Sequence, residues 1–211
     1  MANHKKVTKE EVYHIIIEMA KDIARKNMGA LFIIGPKHRF RDTYEPLYPE
    51  LVKGYHLQEK GIKIIVEKLA ELDGAFLISV DGELLTFGAR IKKAATVPGY
   101  GTRHAAAAGI TQTIPEATAI LVSEEVAWIR VFQKGKIILE MDSSRTPPNL
   151  MQDIVNFVAD HDTTILTTAG ATGLILGSFL PVVIVSGTYL AIKTATGIIQ
   201  KSFRALKKEK S

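Results

Sequence analysis

The feature that most constrains this chain is an alternation of short apolar runs with stretches of helical periodicity. From Thr8 to Asn27, residues Val12, Ile15, Ile16, Met19, Ile23 and Ala24 recur at helical spacing, and Thr8 with Glu11 forms a capping-box pattern. Gly29 ends that helix. The run ALFIIG, Ala30 to Gly35, then reads as a buried strand. A second helix is expected from Ile62 to Leu72. The runs AFLISV and LLTFGARI flank Asp81 and Gly82, a hairpin turn composition. AILVSE, AWIRVFQKG and KIILEM read as three more strands, the last two joined through QKGK. Leu150, Ile154, Phe157 and Val158 mark a helix ending near His161. Helices interleaved with strands, some of them hairpin-connected, imply an α/β domain with a mixed central sheet flanked by helices over residues 1–160. Residues 36–57, with Pro36, Pro46 and Pro49, read as a long surface loop, a length of connection that is often functional.

The rest of the chain differs in kind. No charged residue occurs from Thr163 to Ile192, longer than the ~20 residues needed to cross a bilayer. Gly170, Gly173, Gly177, Ser178 and Gly187 suit close helix contact in lipid. A C-terminal apolar membrane-associated helix or helical hairpin is therefore expected over 163–200, followed by a basic tail, 201–211. The alternative is a buried helix completing the globular domain. The net charge of +5 belongs entirely to the end of the chain, where Lys193, Lys201, Arg204, Lys207, Lys208 and Lys210 oppose Glu209. That distribution favours a membrane surface over nucleic acid, and no basic–aromatic interleaving supports a nucleic-acid face. Positive charge prefers the cytoplasmic side. A hairpin entering over Thr163 to Leu180, turning at Pro181 and returning over Val182 to Gln200 keeps both the tail and the globular domain on the cytoplasmic face of the cell membrane. The opening residues MANHKKVTKEE contain no apolar core of a signal peptide. Cysteine is absent, which excludes disulfides and thiolate metal sites.

Three stretches carry chemistry. GYGTRHAAAAGIT, Gly99 to Thr111, feeds a glycine-rich loop into an alanine-rich helix with Thr102 as a candidate N-cap. A helix start bearing Arg103 and His104 favours an anion, commonly phosphate, although such a turn by itself is often no more than a turn. LDGAFLI, Leu72 to Ile78, places Asp73 and Gly74 where a helix gives way to a strand. LVSEEVAWIRVFQKG, Leu121 to Gly135, places Ser123, Glu124 and Glu125 at a strand end. Ligands of α/β sheets gather at strand ends.

The order DGA, then GTRH with a small-residue helix, then SEE with a strand and a KG turn, resembles the diadenylate cyclase domain. The resemblance spans most of residues 10–141. It includes the helix leading into GALFIIGP and the KGY at Lys53 to Tyr55. It is closest to the archaeal branch, where FGARI and GYGTRHAAAA have similar counterparts.

The resemblance implies synthesis of cyclic di-AMP from two ATP with release of two pyrophosphates, in a face-to-face dimer using Mg2+ or Mn2+. By the same carry-over Asp73 helps bind metal and activates the 3′-hydroxyl, and Gly74 and Ala75 let backbone approach the nucleotide. Thr102, Arg103 and His104, with Gly101, hold the triphosphate; Ser123 touches phosphate; Glu125, with Glu124 in reserve, binds metal. Two departures stand out. Ala105 replaces the second arginine of the family's Arg-His-Arg, for which Lys92 or Lys93 could substitute, and Leu72 stands where some relatives have histidine. The lost arginine also suits a non-catalytic, membrane-associated module that binds ATP or cyclic di-AMP.

Overall fold

A computed structural model describes residues 7–95, 101–125, 127–143 and 151–159, and four short strands between 166 and 191. Helix α1, Lys9–Arg25, starts on the reciprocal capping box expected of Thr8 and Glu11. Strand β1, Ala30–Gly35, follows directly. The long connection after it contains a single 3-10 turn, Lys37–Phe40, and strand β2, Tyr44–Pro46. Helix α2 spans Ile62–Leu69, shorter than its apolar pattern. Strands β3, Ala75–Ser79, and β4, Leu84–Ile91, form the expected hairpin. Helix α3 is Thr102–Thr113, and β5, β6 and β7 are Thr118–Val122, Trp128–Gln133 and Lys136–Asp142. Helix α4, Met151–Ala159, ends slightly before the expected point.

The sheet is mixed. Its order is β11-β10-β7-β6-β5-β1-β3-β4-β2, where β10 is Val182–Val185 and β11 is Thr188–Ala191, with β1 parallel to β3 and antiparallel to β5. Alternating residues of one strand serve two cores, as a two-residue period requires. Phe32, Ile34, Ile129 and Val131 pack under α1, α2 and α4. Leu31, Ile33, Leu121 and Phe132 face α3. Alanines recur in that second core, where Ala107 and Ala108 of α3 share the cluster with Ala75, Ala89, Ala117 and Ala119. The alanine run therefore lets α3 lie close to the sheet. Lys134 and Gly135 both have positive φ, 50° and 76°, the geometry of a tight hairpin turn. The amide of Gly135 donates to Thr111 Oγ1 at 3.1 Å, tying that turn to α3.

Two expectations are corrected here. Where residues 163–200 are described they are strands: β8, Leu166–Thr168, β9, Ala171–Gly173, β10, Val182–Val185, and β11, Thr188–Ala191. β8 and β9 pair with each other, while β10 joins the main sheet parallel to β7. β10 is wholly β-branched, VVIV, which favours a pleated strand over a helix. The expected apolar helix finds no support, and no helix among the described residues is long and apolar enough to cross a membrane. Much of 163–200, including the turn at Pro181, and all of 201–211 lie outside the described residues. Second, the N-cap of α3 is Gly101, not Thr102, and no side chain caps it.

Candidate active site

Sheet direction assembles the site. Ala30 at the start of β1 pairs with Val122 at the end of β5, and β3 runs parallel beside β1. Asp73, just before β3, Ser123, just after β5, and the start of α3 therefore share one edge. They line a cleft of ≈ 730 Å³ together with Gly101, Thr102, Arg103, His104, Glu124, Glu125 and Arg130, with Leu121 and Val122 at its wall. Of the residues expected from sequence, this cleft brings together Asp73, Gly101, Thr102, Arg103, His104, Ser123, Glu124 and Glu125. Gly74 and Ala75 do not line it. Ala75 is buried in the α3-side core, opposite Ala89.

Gly74 has a different task. Its φ is +104°, and a Cβ there would lie 2.5 Å from the Gly88 carbonyl carbon and 2.6 Å from Gly88 Cα. The backbone that follows Asp73 is thus pressed directly onto β4.

Arg103 donates through Nη1 to Glu124 Oε2 at 3.1 Å. Its guanidinium lies where a side chain at Gly29 would be, so the glycine that ends the α1 connection also makes room for the cation. Because Gly101 caps α3 without a side chain, the opening turn keeps the local positive end of the helix toward the cleft. The His104 ring packs edge-on against Phe132 at 6.1 Å. Burial, reinforced by the Arg130 guanidinium, pushes its imidazole down to about 4, so the ring is neutral at pH 7.

Arg130 was not singled out by the motif pattern. It sits in β6 opposite Leu121 of β5 and Glu140 of β7. Its Nε donates to Glu140 Oε1 at 2.5 Å, and its Nη1 lies 3.1 Å from His104 Nε2. The hairpin itself held a signal, since the one charge of β6, Arg130, has an opposite charge, Glu140, across from it in β7. A register shift between Val131 and Phe132 disguises the pairing. Lys92 and Lys93 do not stand in this cleft. They line a separate ≈ 280 Å³ cavity with Arg41. A further cavity of ≈ 650 Å³, between α1 and the 56–59 connection, holds none of the motif residues.

Asp73, Glu124 and Glu125 offer carboxylate oxygens, the donors that suit magnesium or manganese. Among the described residues no group of three or more histidine, cysteine, aspartate or glutamate side chains is placed to hold a metal ion by itself. Carboxylates of this kind hold magnesium together with substrate phosphates in other nucleotide sites.

The fold and cleft define a mixed α/β domain with an acidic edge facing a cationic helix start. Residues 17–137 match the family model described as DAC, DisA bacterial checkpoint controller nucleotide-binding. The chain belongs to this diadenylate cyclase family. It is 32% identical over 139 residues to a diadenylate cyclase of Haloferax volcanii, covering 63% of this chain and 51% of that protein. It is 31% identical over 137 residues to one of Methanocaldococcus jannaschii, covering 60% and 44%. The chain thus spans about half the length of the curated relatives it matches. The crystal structure of DacA from Staphylococcus aureus is similar in fold, with a TM-score of 0.51 at 20% identity, over 72% of this chain and 97% of that one.

Proposed function

We propose that residues 1–160 form a diadenylate cyclase domain that condenses two ATP into cyclic di-AMP and two pyrophosphates. One observation carries this reading: Asp73, the Thr102–His104 helix start and Ser123–Glu125 line a single cleft. Each new bond joins the 3′-oxygen of one nucleotide to the α-phosphorus of the other as the bond to pyrophosphate breaks. Catalysis must polarise that hydroxyl and absorb charge on the phosphates. Asp73 accepts the hydroxyl hydrogen or holds its metal partner. Thr102, Arg103 and the α3 amides hold the triphosphate, with Ser123 against a phosphate from the facing strand end. Glu124 is engaged by Arg103, which supports Glu125 as the metal carboxylate. Magnesium or manganese, when bound, would polarise the 3′-hydroxyl and offset phosphate charge.

One cleft presents one nucleotide, so turnover requires two copies of the domain face to face. Attachment to the cytoplasmic face of a membrane rests on the uncharged run and basic tail alone. Its test is recovery of the full chain with washed membranes.

The deciding experiment is incubation of the protein with ATP and Mn2+ or Mg2+, followed by chromatography. Cyclic di-AMP that disappears in Asp73→Asn is the expected result. The rival reading, a non-catalytic module that binds ATP or cyclic di-AMP, draws on Ala105 in place of arginine. Tight nucleotide binding without product would establish it and overturn the cyclase.

A further inference from the structure

Arg130 is a poor choice for a residue whose only task is to fill a sheet. Its neighbours Ile129 and Val131 point into the α1 side, so Arg130 points with Phe132 toward α3. Its side chain is only 15% exposed. Burying a guanidinium that far costs several kcal/mol unless charge and hydrogen bonds answer it. Glu140, 18% exposed, answers it from the adjacent strand. A methionine and leucine at these two positions would satisfy the packing at lower cost. The pair instead holds a planar cation against His104 at the start of α3, in the cleft that Arg103, Thr102 and Ser123 also line.

That position matters because of Ala105. The family pattern places a second cation on the helix one residue beyond the histidine; here the helix offers a methyl group. The cleft's acidic residues are Asp73, Glu124 and Glu125, and its other cation, Arg103, is drawn to Glu124. A second guanidinium in the cleft adds a charge-assisted donor for a triphosphate beside whatever metal accompanies it. We propose that Arg130, oriented by Glu140, is a phosphate-binding residue of this cleft, delivering from strand β6 the cation that Ala105 no longer delivers from helix α3, and that the same guanidinium fixes the tautomer of His104. The second part follows from hydrogen-bond chemistry. A guanidinium has donors and no acceptor, so His104 Nε2, 3.1 Å from Arg130 Nη1, must accept. The proton of the neutral ring then resides on Nδ1.

The inference rests on the cyclase reading for its ligand, and its test separates the two. The full chain and the double variant Arg130→Met, Glu140→Met, which removes the pair without stranding a buried charge, are titrated with ATP–Mg2+, inorganic triphosphate and adenosine. Far-UV circular dichroism melts establish that the variant is folded; Arg130→Lys, which keeps charge but loses the planar fork, is the second variant should it fail. The expected result is a roughly ten- to hundredfold loss of ATP and triphosphate affinity, the range for a lost charged hydrogen bond, with adenosine affinity unchanged. Adding Ala105→Arg to the double variant restores triphosphate binding. Nitrogen-15 spectra show His104 as the Nδ1–H tautomer in the wild type and as a mixture without Arg130.

Equal loss for adenosine and triphosphate would reduce Arg130 to a structural residue, and unchanged triphosphate affinity would overturn the proposal while product formation left the cyclase reading standing. Arg130-dependent triphosphate binding without cyclic di-AMP would uphold the proposal and sink the cyclase. A wild type that binds neither ATP nor triphosphate would sink both.

Discussion

Replacing Gly74 by alanine tests how the chain aims Asp73. Two costs are separable. A left-handed backbone costs an L-residue about 1–2 kcal/mol, and Gly74 has φ +104°. The added Cβ would also lie 2.5 Å and 2.6 Å from Gly88 atoms and 2.8 Å from the Ala89 nitrogen. These are main-chain atoms that no rotamer change can move, and the Tyr48 ring fills the space where a Cβ of Gly88 would point. Forcing such a contact costs about 1–3 kcal/mol, so Gly74→Ala should lose about 2–5 kcal/mol. Gly54→Ala is the control. Its φ is +88°, and a Cβ there meets nothing within 4 Å. It carries the conformational cost alone, and the gain from stiffening the unfolded chain is common to both. Urea unfolding followed by circular dichroism should therefore place Gly74→Ala about 1–3 kcal/mol below Gly54→Ala. Metal-dependent nucleotide affinity should fall only in Gly74→Ala, because only there does the backbone beside Asp73 shift. Equal losses in the two variants would refute the close approach of β3 and β4 as the device that sets Asp73.

Other outcomes follow from the same contacts. Gly29→Ala displaces the flexible end of Arg103 rather than main chain, so melting temperature should hold within a few degrees while ATP affinity falls severalfold. Tyr13→Phe removes a buried hydrogen bond to Thr118, whose oxygen also accepts from Gln133; urea unfolding should show a loss of about 1 kcal/mol. Burial pushes the Tyr13 phenol up to about 12. The unfolded chain releases that proton from about pH 10, so stability should fall as pH rises through this window, and less steeply in Tyr13→Phe. His104 behaves oppositely. With its folded pKa near 4 and an unfolded value near 6.5, the unfolded state binds more protons between those limits. Stability should therefore decline as pH falls from about 6.5 toward 4, and His104→Gln should flatten that part of the unfolding-versus-pH profile.

The core of the fold was legible because local signals agreed with the global arrangement. The Thr8–Glu11 box, the Asp81–Gly82 hairpin and the apolar run at Ala30 each specify a local geometry that tertiary packing leaves intact. The helix expected over 163–200 finds no support because absence of charge says that a segment avoids water, not how its backbone pairs. Freedom from charge is shared by a membrane helix and a sheet strand, and the β-branching of Val182 to Val185 was the discriminating feature. Similarly, Thr102 satisfies the residue preference for an N-cap, but the helix begins one residue earlier, and the preference alone does not fix that boundary.

The cleft divides along the same line. Asp73, Arg103 and Ser123 were readable because each sits at an element end, where a motif and a boundary coincide. Arg130 was not, because it lies inside a strand and its importance arises only from what neighbouring strands place beside it. Counting back from the Lys134–Gly135 turn in an ideal hairpin pairs Arg130 with Leu139. The bulge beside Phe132 moves Glu140 into that place. A one-residue irregularity thus decides whether the arginine beneath α3 is a stranded charge or a held one. This is also why Ala105 is a weaker argument against phosphate binding than it is on a linear reading: Arg130, distant along the chain, lines the same cleft as the start of α3.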